Sequence, residues 1–183
     1  MASLPPVLSS ALATSLTAQK QLLKPNKRLD DAVANCARNN IPPIAMGPSQ
    51  GSFLSILCKL MKAQSVLEIG TLGGYSTIWF AESVPGVHVT SIEFNPTHRD
   101  VALENTKGLD NVDIRLGAAL DVLPKLADEV KVFDFVFIDA DWDEQQQYFD
   151  WAVRMTRKGG CVYVDNVVRQ LMESEEGGLS SSM

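Results

Sequence analysis

Two apolar runs of the sequence end in oxygen-bearing side chains. FDFVFID (133–139) closes on Asp139 and continues as ADWDE, and GCVYVDN (160–166) closes on Asp165 and Asn166. If the two runs are neighbouring strands of a parallel sheet, their last residues lie about 4.8 Å apart on one edge. Asp139, Asp165 and Asn166 would then gather hard oxygen donors suited to Mg²⁺, which keeps positions open for water or substrate oxygens. The competing reading is that strand-end acids simply cap the helices that follow. For Asp141 and Asp143, capping or cofactor contact is preferred; for Asp139 with Asp165 and Asn166, a metal. An EF-hand loop is excluded, because a strand-like run precedes Asp139 and Glu144 stands where that loop needs glycine.

A second group lies earlier. SVLEIG (65–70) passes through Thr71-Leu72-Gly73-Gly74-Tyr75-Ser76 straight into a helix-like stretch. Glycines at a strand-to-helix turn let a ligand lie against the backbone and meet helix N–H groups. About twenty residues on, Glu93 ends VHVTSIE, where a carboxylate can accept from both hydroxyls of a ribose. A glycine turn and a strand-end acid without any ligand is the plainer alternative. A nucleoside-bearing cofactor is favoured, because the turn has a strand before it, a helix after it and the acid at the right distance. Gly70-x-x-Gly73-Gly74 does not match the dinucleotide fingerprint G-x-G-x-x-G. Glu68, just before the first glycine, would repel a pyrophosphate and attract an ammonium or sulfonium group. That favours S-adenosyl-L-methionine (SAM) over a nicotinamide dinucleotide.

Other chemistry-bearing residues read as structural. His88 and His98 are far apart, Trp79 and Trp151 sit at helical core spacing, and Met46 and Met61 suit a core or a pocket wall. The glutamines 145–147 and the acidic stretch 173–176 read as solvated.

The elements that must position these groups follow from periodicity. The five apolar runs 65–70, 87–93, 112–117, 133–139 and 160–166 alternate with the helix-like stretches 75–84, 96–107, 119–130 and 144–156. Strand–helix alternation predicts an α/β, Rossmann-like, doubly wound and mainly parallel sheet with helices on both faces. Before it, residues 1–8 read as a loose lead-in broken by Pro5 and Pro6. Helices are predicted over 9–23, 28–39 (Leu29, Val33 and Cys36 in step) and 52–62, the last with Phe53, Ile56, Leu57 and Leu60 on its apolar face. The expected organisation is an N-terminal helical extension packed on the core (1–63), a cofactor-binding core (64–168) and a short polar tail (169–183). The fifth strand is expected at an exposed edge.

Composition sets the outer bounds. A length of 183 residues suits one domain with additions, given roughly 150 residues per domain. With 45% hydrophobic and 21% charged residues the chain can build a core, which excludes a disordered tail. Lys plus Arg is 16 against 22 for Asp plus Glu, a net charge of −6 that argues against a nucleic-acid-binding face. The three cysteines, Cys36, Cys58 and Cys161, form no C-x-x-C pair and read as thiols of a reducing compartment. No run is long enough for a membrane span and no secretory pattern opens the chain, so a cytoplasmic protein with no membrane partner is expected.

Taken together, LEIGTLGGYST, Glu93, GAALDVLP, FDFVFIDAD and GGCVYVDNV resemble the cation-dependent O-methyltransferases of the catechol and caffeoyl-CoA type, over about Met46 to Val167. The resemblance implies a Rossmann-like fold, SAM and a divalent cation, usually Mg²⁺, as cofactors, and methylation of a hydroxyl of a small phenolic substrate. It implies that Glu68, Gly70, Thr71 and Ser76 belong to the stretch holding the methionine part of SAM, with Glu93 on the ribose. It further implies that Ala119 lies by the adenine, that Asp141 and the Met46 backbone touch the cofactor, and that Asp139, Asp165 and Asn166 hold the metal. Catalytic work would fall to Asp139, through the metal, and to Asp141, with Asp143 or a group not yet identified as the alternative proton acceptor. A homodimer is the implied assembly.

Two departures stand out. Trp142 occupies the place of a family lysine that serves as general base, and an indole cannot accept a proton; it suits an aromatic wall for a flat substrate. The family also continues past DNV with a helix and antiparallel strands that appear missing here. The alternatives are a non-catalytic or truncated relative acting through cofactor or partner binding and, less favoured because of Glu68 and the glycine spacing, a nicotinamide oxidoreductase.

Overall fold

A computed structural model describes residues 6–129 and 131–172. In order along the chain are α1 (Pro6–Leu22), α2 (Lys27–Arg38), α3 (Pro48–Met61), β1 (Ser65–Ile69), α4 (Tyr75–Ala81), β2 (His88–Glu93), α5 (Pro96–Asn105), β3 (Val112–Leu116), α6 (Ala119–Asp128), β4 (Phe133–Ile138), α7 (Gln145–Met155) and β5 (Thr156–Val164). The five strands make one sheet in the order β3-β2-β1-β4-β5, and every neighbouring pair is parallel. The doubly wound arrangement predicted from the alternation is therefore present. The chain steps outward from β1 to β3 and then returns to the other side of β1 for β4. At such a reversal the connections leave toward opposite faces and open a crevice at the carboxyl ends of the strands.

Side chains alternate between the two faces of the sheet. Val66, Phe135 and Phe137 pack with Leu54, Cys58, Ile78 and Phe80 on one side. Leu67, Ile69, Val136 and Ile138 pack with Leu123, Leu126, Tyr148 and Ala152 on the other. With both faces covered, the strands read as continuous apolar runs. Full burial of each large side chain contributes about 1.5–3 kcal/mol, so Phe135 and Phe137 anchor the strand that carries Asp139 at its end. Asn26 and Asn95 cap α2 and α5, each accepting two backbone N–H groups of the first turn.

Three details differ from the sequence expectation. The lead-in assigned to residues 1–8 gives way to helix at Pro6, because proline is tolerated in a first turn whose N–H groups lack helical partners anyway; residues 1–5 lie outside the described region. Helix α3 buries Gly51, Leu54, Ser55 and Cys58, while Phe53, Ile56 and Leu60 stay exposed. The reason is Gly51: a Cβ there would overlap the Trp79 indole of α4, so this glycine turns its own face of α3 to the core. Strand β5 begins at Thr156 rather than 160, with a register shift opposite Phe133–Phe135 where Arg157 pairs with Asp134. Among the described residues β5 and β3 are the sheet edges. α2 and α3 pack against α4 and α5, whereas α1 is largely exposed. Residues 167–172 are helical, and the acidic stretch 173–176 lies outside the described residues. No described helix is long and apolar enough to cross a membrane.

Candidate active site

The parallel ladder carries the functional residues to one rim. Beyond the last strand pairs, Gly70 N–H donates to Ile92 O (3.0 Å), Gly117 N–H to Glu93 O (2.9 Å), Asp139 N–H to Ile69 O (2.9 Å) and Asp165 N–H to Ile138 O (2.9 Å). The rim opens into a cavity of about 1020 Å³. Of the residues singled out from sequence, Met46, Gly70, Thr71, Ser76, Glu93, Ala119, Asp139, Asp141 and Asn166 line it.

The turn after β1 is held from below. Gly70 has φ +97°, and a Cβ there would run into the Asp139 carbonyl oxygen, so only glycine lets the turn cross the end of β4. Glu93 Oε2 accepts from the N–H groups of Thr71 (3.2 Å) and Leu72 (2.7 Å), and Oε1 accepts from Asn95 N–H (2.8 Å). His98 Nδ1 lies 3.6 Å from the same carboxylate. Glu93 is thus a cavity wall and also the strap that shapes the turn, a task its strand-end position alone does not disclose. Asn105 adds a second strap: its Nδ2 donates to Gly73 O (2.9 Å), and its Oδ1 accepts from Asn35 of α2 (2.9 Å).

Glu68 sits deeper than its place in the motif suggests. It is fully buried and absent from the cavity lining. Its Oε2 accepts from the hydroxyls of Thr77 and Ser91, both at 2.5 Å, while Oε1 has no hydrogen-bond partner. Burial pushes this carboxyl up to about 7, against the partial relief of nearby hydroxyls.

On the other side of the cavity, pairing of β4 with β5 sets Asp139 near Asp165 and Asn166; Asp139 and Asn166 line the cavity, whereas Asp165 does not. Asn166 Nδ2 donates to Asp139 Oδ1 (3.2 Å), and Asn166 itself adopts φ +62°. Burial, and then the neighbouring charge of Asp165, push the Asp139 carboxyl up to about 6. Among the described residues no three His, Cys, Asp or Glu side chains form a metal-sized cluster; the set here is two acids and an amide. Asp141 does cap the helix that follows: Oδ1 accepts from Glu144 N–H (3.0 Å), and Oδ2 from the Tyr148 hydroxyl (2.5 Å). With both oxygens engaged, Asp141 is better placed to fix the 139–145 segment than to take a proton. Tyr148, which also donates to Glu144 Oε2 (2.7 Å), escaped the sequence reading. Its one signal was the spacing of four residues from Glu144 on a helix face. Burial and the two acids raise its phenol well above the ordinary value. Trp142 lines the cavity as a wall, with the Arg169 guanidinium 5.5 Å from its ring centroid.

Cys36, Cys58 and Cys161 are all free thiols, and burial raises each above its usual range. That leaves them poor nucleophiles.

Comparison with known proteins gives a consistent result. A family model described as O-methyltransferase matches residues 19–177. The chain is 43% identical to a catechol O-methyltransferase of Niastella koreensis over 143 residues, covering 75% of this chain and 65% of that one. It is 40% identical to a catechol O-methyltransferase of Mycobacterium tuberculosis over 169 residues, covering 90% and 73%. The chain thus spans from 60% to 73% of the length of the first curated relatives. Among solved structures, an O-methyltransferase from Bacillus cereus in complex with SAH superposes with a TM-score of 0.83 at 38% identity, over 86% of this chain and 74% of that one. The O-methyltransferase TomG from Streptomyces achromogenes, in complex with SAM, superposes with a TM-score of 0.81 at 33% identity, over 86% and 73%.

Proposed function

The chain belongs to the O-methyltransferase family, and on that premise we propose that it transfers the methyl group of SAM to a hydroxyl of a small catechol-like phenol with the help of a divalent cation. One observation carries the reading. A single cavity joins the glycine turn strapped by Glu93 to Asp139 and Asn166 at the ends of β4 and β5. The similarity to catechol O-methyltransferases, and to O-methyltransferase structures holding SAH or SAM, supports the same division of labour here.

The residues fit the cofactor. Glu68, beneath the turn and outside the cavity lining, would favour a methionine ammonium through its charge rather than by contact. Glu93 Oε2 is filled by the Thr71 and Leu72 N–H groups, but Oε1 holds only Asn95 N–H and keeps a free acceptor site, enough for a ribose hydroxyl. Met46, Gly70, Thr71, Ser76, Ala119 and Asp141 would complete the wall around it. Asp139, Asp165 and Asn166 fit a divalent cation by donor type, and the burial and the Asp165 repulsion that together raise Asp139 are what a cation would offset. Such an ion would supply Lewis-acid activation of a substrate hydroxyl. The chain's own residues do the positioning. Asp141, pinned by Tyr148 and Glu144, holds the segment after β4 in place, and Trp142 offers a flat wall. Holding reactants in line contributes about 7–11 kcal/mol in favourable cases.

Trp142 also keeps a second reading in play, a relative that binds SAM without methyl transfer, because this residue has no proton-accepting atom. Calorimetric titration of SAM with Mg²⁺ present, followed by assay of methyl transfer to diphenols, separates the two. Saturable one-site binding with transfer is expected. Absence of binding to the folded chain refutes the cofactor site, and binding without transfer to any diphenol moves the assignment to the second reading.

A further inference from the structure

We propose that His98 is a second ribose-contacting residue, meeting the cofactor hydroxyl that Glu93 leaves unserved. Both residues line the cavity. Glu93 Oε2 is spent on the Thr71 and Leu72 N–H groups, and Oε1 holds Asn95 N–H with one acceptor site to spare. One acceptor site serves one hydroxyl, whereas the ribose of SAM carries two adjacent ones. A hydroxyl enclosed without a partner weakens binding, so the second needs a polar group beside the first.

His98 stands at that place. Its Nδ1 is 3.6 Å from Glu93 Oε1, too far for a hydrogen bond between the two and close enough for neighbouring hydroxyls to meet one each. The imidazole is held by a regular element rather than by a loop. Pro96 and the Asn95 cap start α5, and His98 N–H donates to Asn95 Oδ1 (3.4 Å), which fixes this first turn just beyond the end of β2. The side chain is 22% exposed, neither sealed in the core nor loose in solvent. Either ring nitrogen can serve, because a hydroxyl accepts from an imidazole N–H and donates to a bare imidazole nitrogen. The polar neighbours of Glu93 on the adjoining turns do not compete for this task. Asn95 lies outside the cavity lining, and the Thr71 hydroxyl bonds with that of Ser91 (2.5 Å).

The inference rests on SAM as the cofactor, and its test separates the two. The probes are S-adenosylhomocysteine and its 2′-deoxy and 3′-deoxy analogues, titrated calorimetrically into the full chain. Wild type should bind both analogues more weakly than the parent. His98→Ala should lower affinity for the parent about three- to tenfold, yet bind one of the two analogues as tightly as wild type does, because the hydroxyl that His98 meets is already gone from it. His98→Gln, which keeps a donor and an acceptor, should restore part of the loss. A histidine that only supports the fold gives another pattern, in which His98→Ala weakens all three ligands by the same factor. That pattern, or no loss for the parent, overturns the contact while the cofactor site stands. Failure of S-adenosylhomocysteine to bind the folded wild type removes the cofactor site and the contact with it.

Discussion

Glu68→Gln separates a carboxylate kept for a cationic ligand from a merely structural one. Burial lifts this carboxyl from 4.5 to about 7 in the folded chain. Between those values the native state binds more protons than the unfolded chain, so stability falls as the pH rises. At about 1.4 kcal/mol per pH unit, the charged form costs the fold about 3 kcal/mol at pH 8 and less than about 1 kcal/mol at pH 5. Glutamine carries no such charge. Its amide nitrogen, left without an acceptor, would cost about 1–3 kcal/mol, but equally at both pH values. The quantity to measure is therefore the difference between wild type and Glu68→Gln in urea unfolding free energy, taken at pH 5 and again at pH 8. It should move by about 2–3 kcal/mol in favour of the variant at the higher pH. SAM affinity should move the opposite way, falling severalfold, on the order of 1 kcal/mol, with the loss of a negative charge beneath the cofactor turn. A stability difference that is the same at both pH values would refute the reasoning, since it would mean that the carboxyl ionises in the fold without penalty.

Three further outcomes can be checked with the same preparations. Gly70→Ala should destabilise the chain by about 2–4 kcal/mol, adding left-handed strain to overlap with the Asp139 carbonyl, and a denaturation midpoint within error of wild type would contradict the crossing of β1 and β4 ends. Asn105→Ala leaves the Gly73 carbonyl without its side-chain donor, so stability should fall by about 1–2 kcal/mol and SAM binding should weaken by calorimetry; intact affinity would mean that the turn needs no second strap. Asp165→Ala removes the charge that helps raise Asp139, so the metal-free chain should melt no lower than wild type while Mg²⁺-stimulated methyl transfer disappears. Activity indifferent to both this change and EDTA would remove the metal from the proposal.

Much of this protein is written locally. Apolar runs bounded by turn residues are a short-range signal, and their alternation with helical stretches was enough for the parallel, doubly wound sheet. The same topology puts Gly70, Glu93, Asp139 and Asp165 at strand ends, and the first three line the cavity. Helix faces were less readable. In α3 the apolar stripe Phe53, Ile56, Leu57 and Leu60 is the expected inner face, yet of these only Leu57 packs on the core, because Gly51 turns its own side inward by admitting Trp79, a contact between separate helices that no periodicity encodes. The depth of Glu68 depends on hydroxyls from α4 and β2 closing over it, and the second task of Glu93 depends on backbone donors of a different loop. The Trp142–Arg169 pair exists because β4 and β5 lie side by side and release their following segments at the same end. Strand periodicity and turn residues act over a few neighbours, so the sequence by itself determined the elements and the rim. Burial, charge and side-chain partnership depend on groups brought together by folding, so only the tertiary structure decided what each rim residue can do.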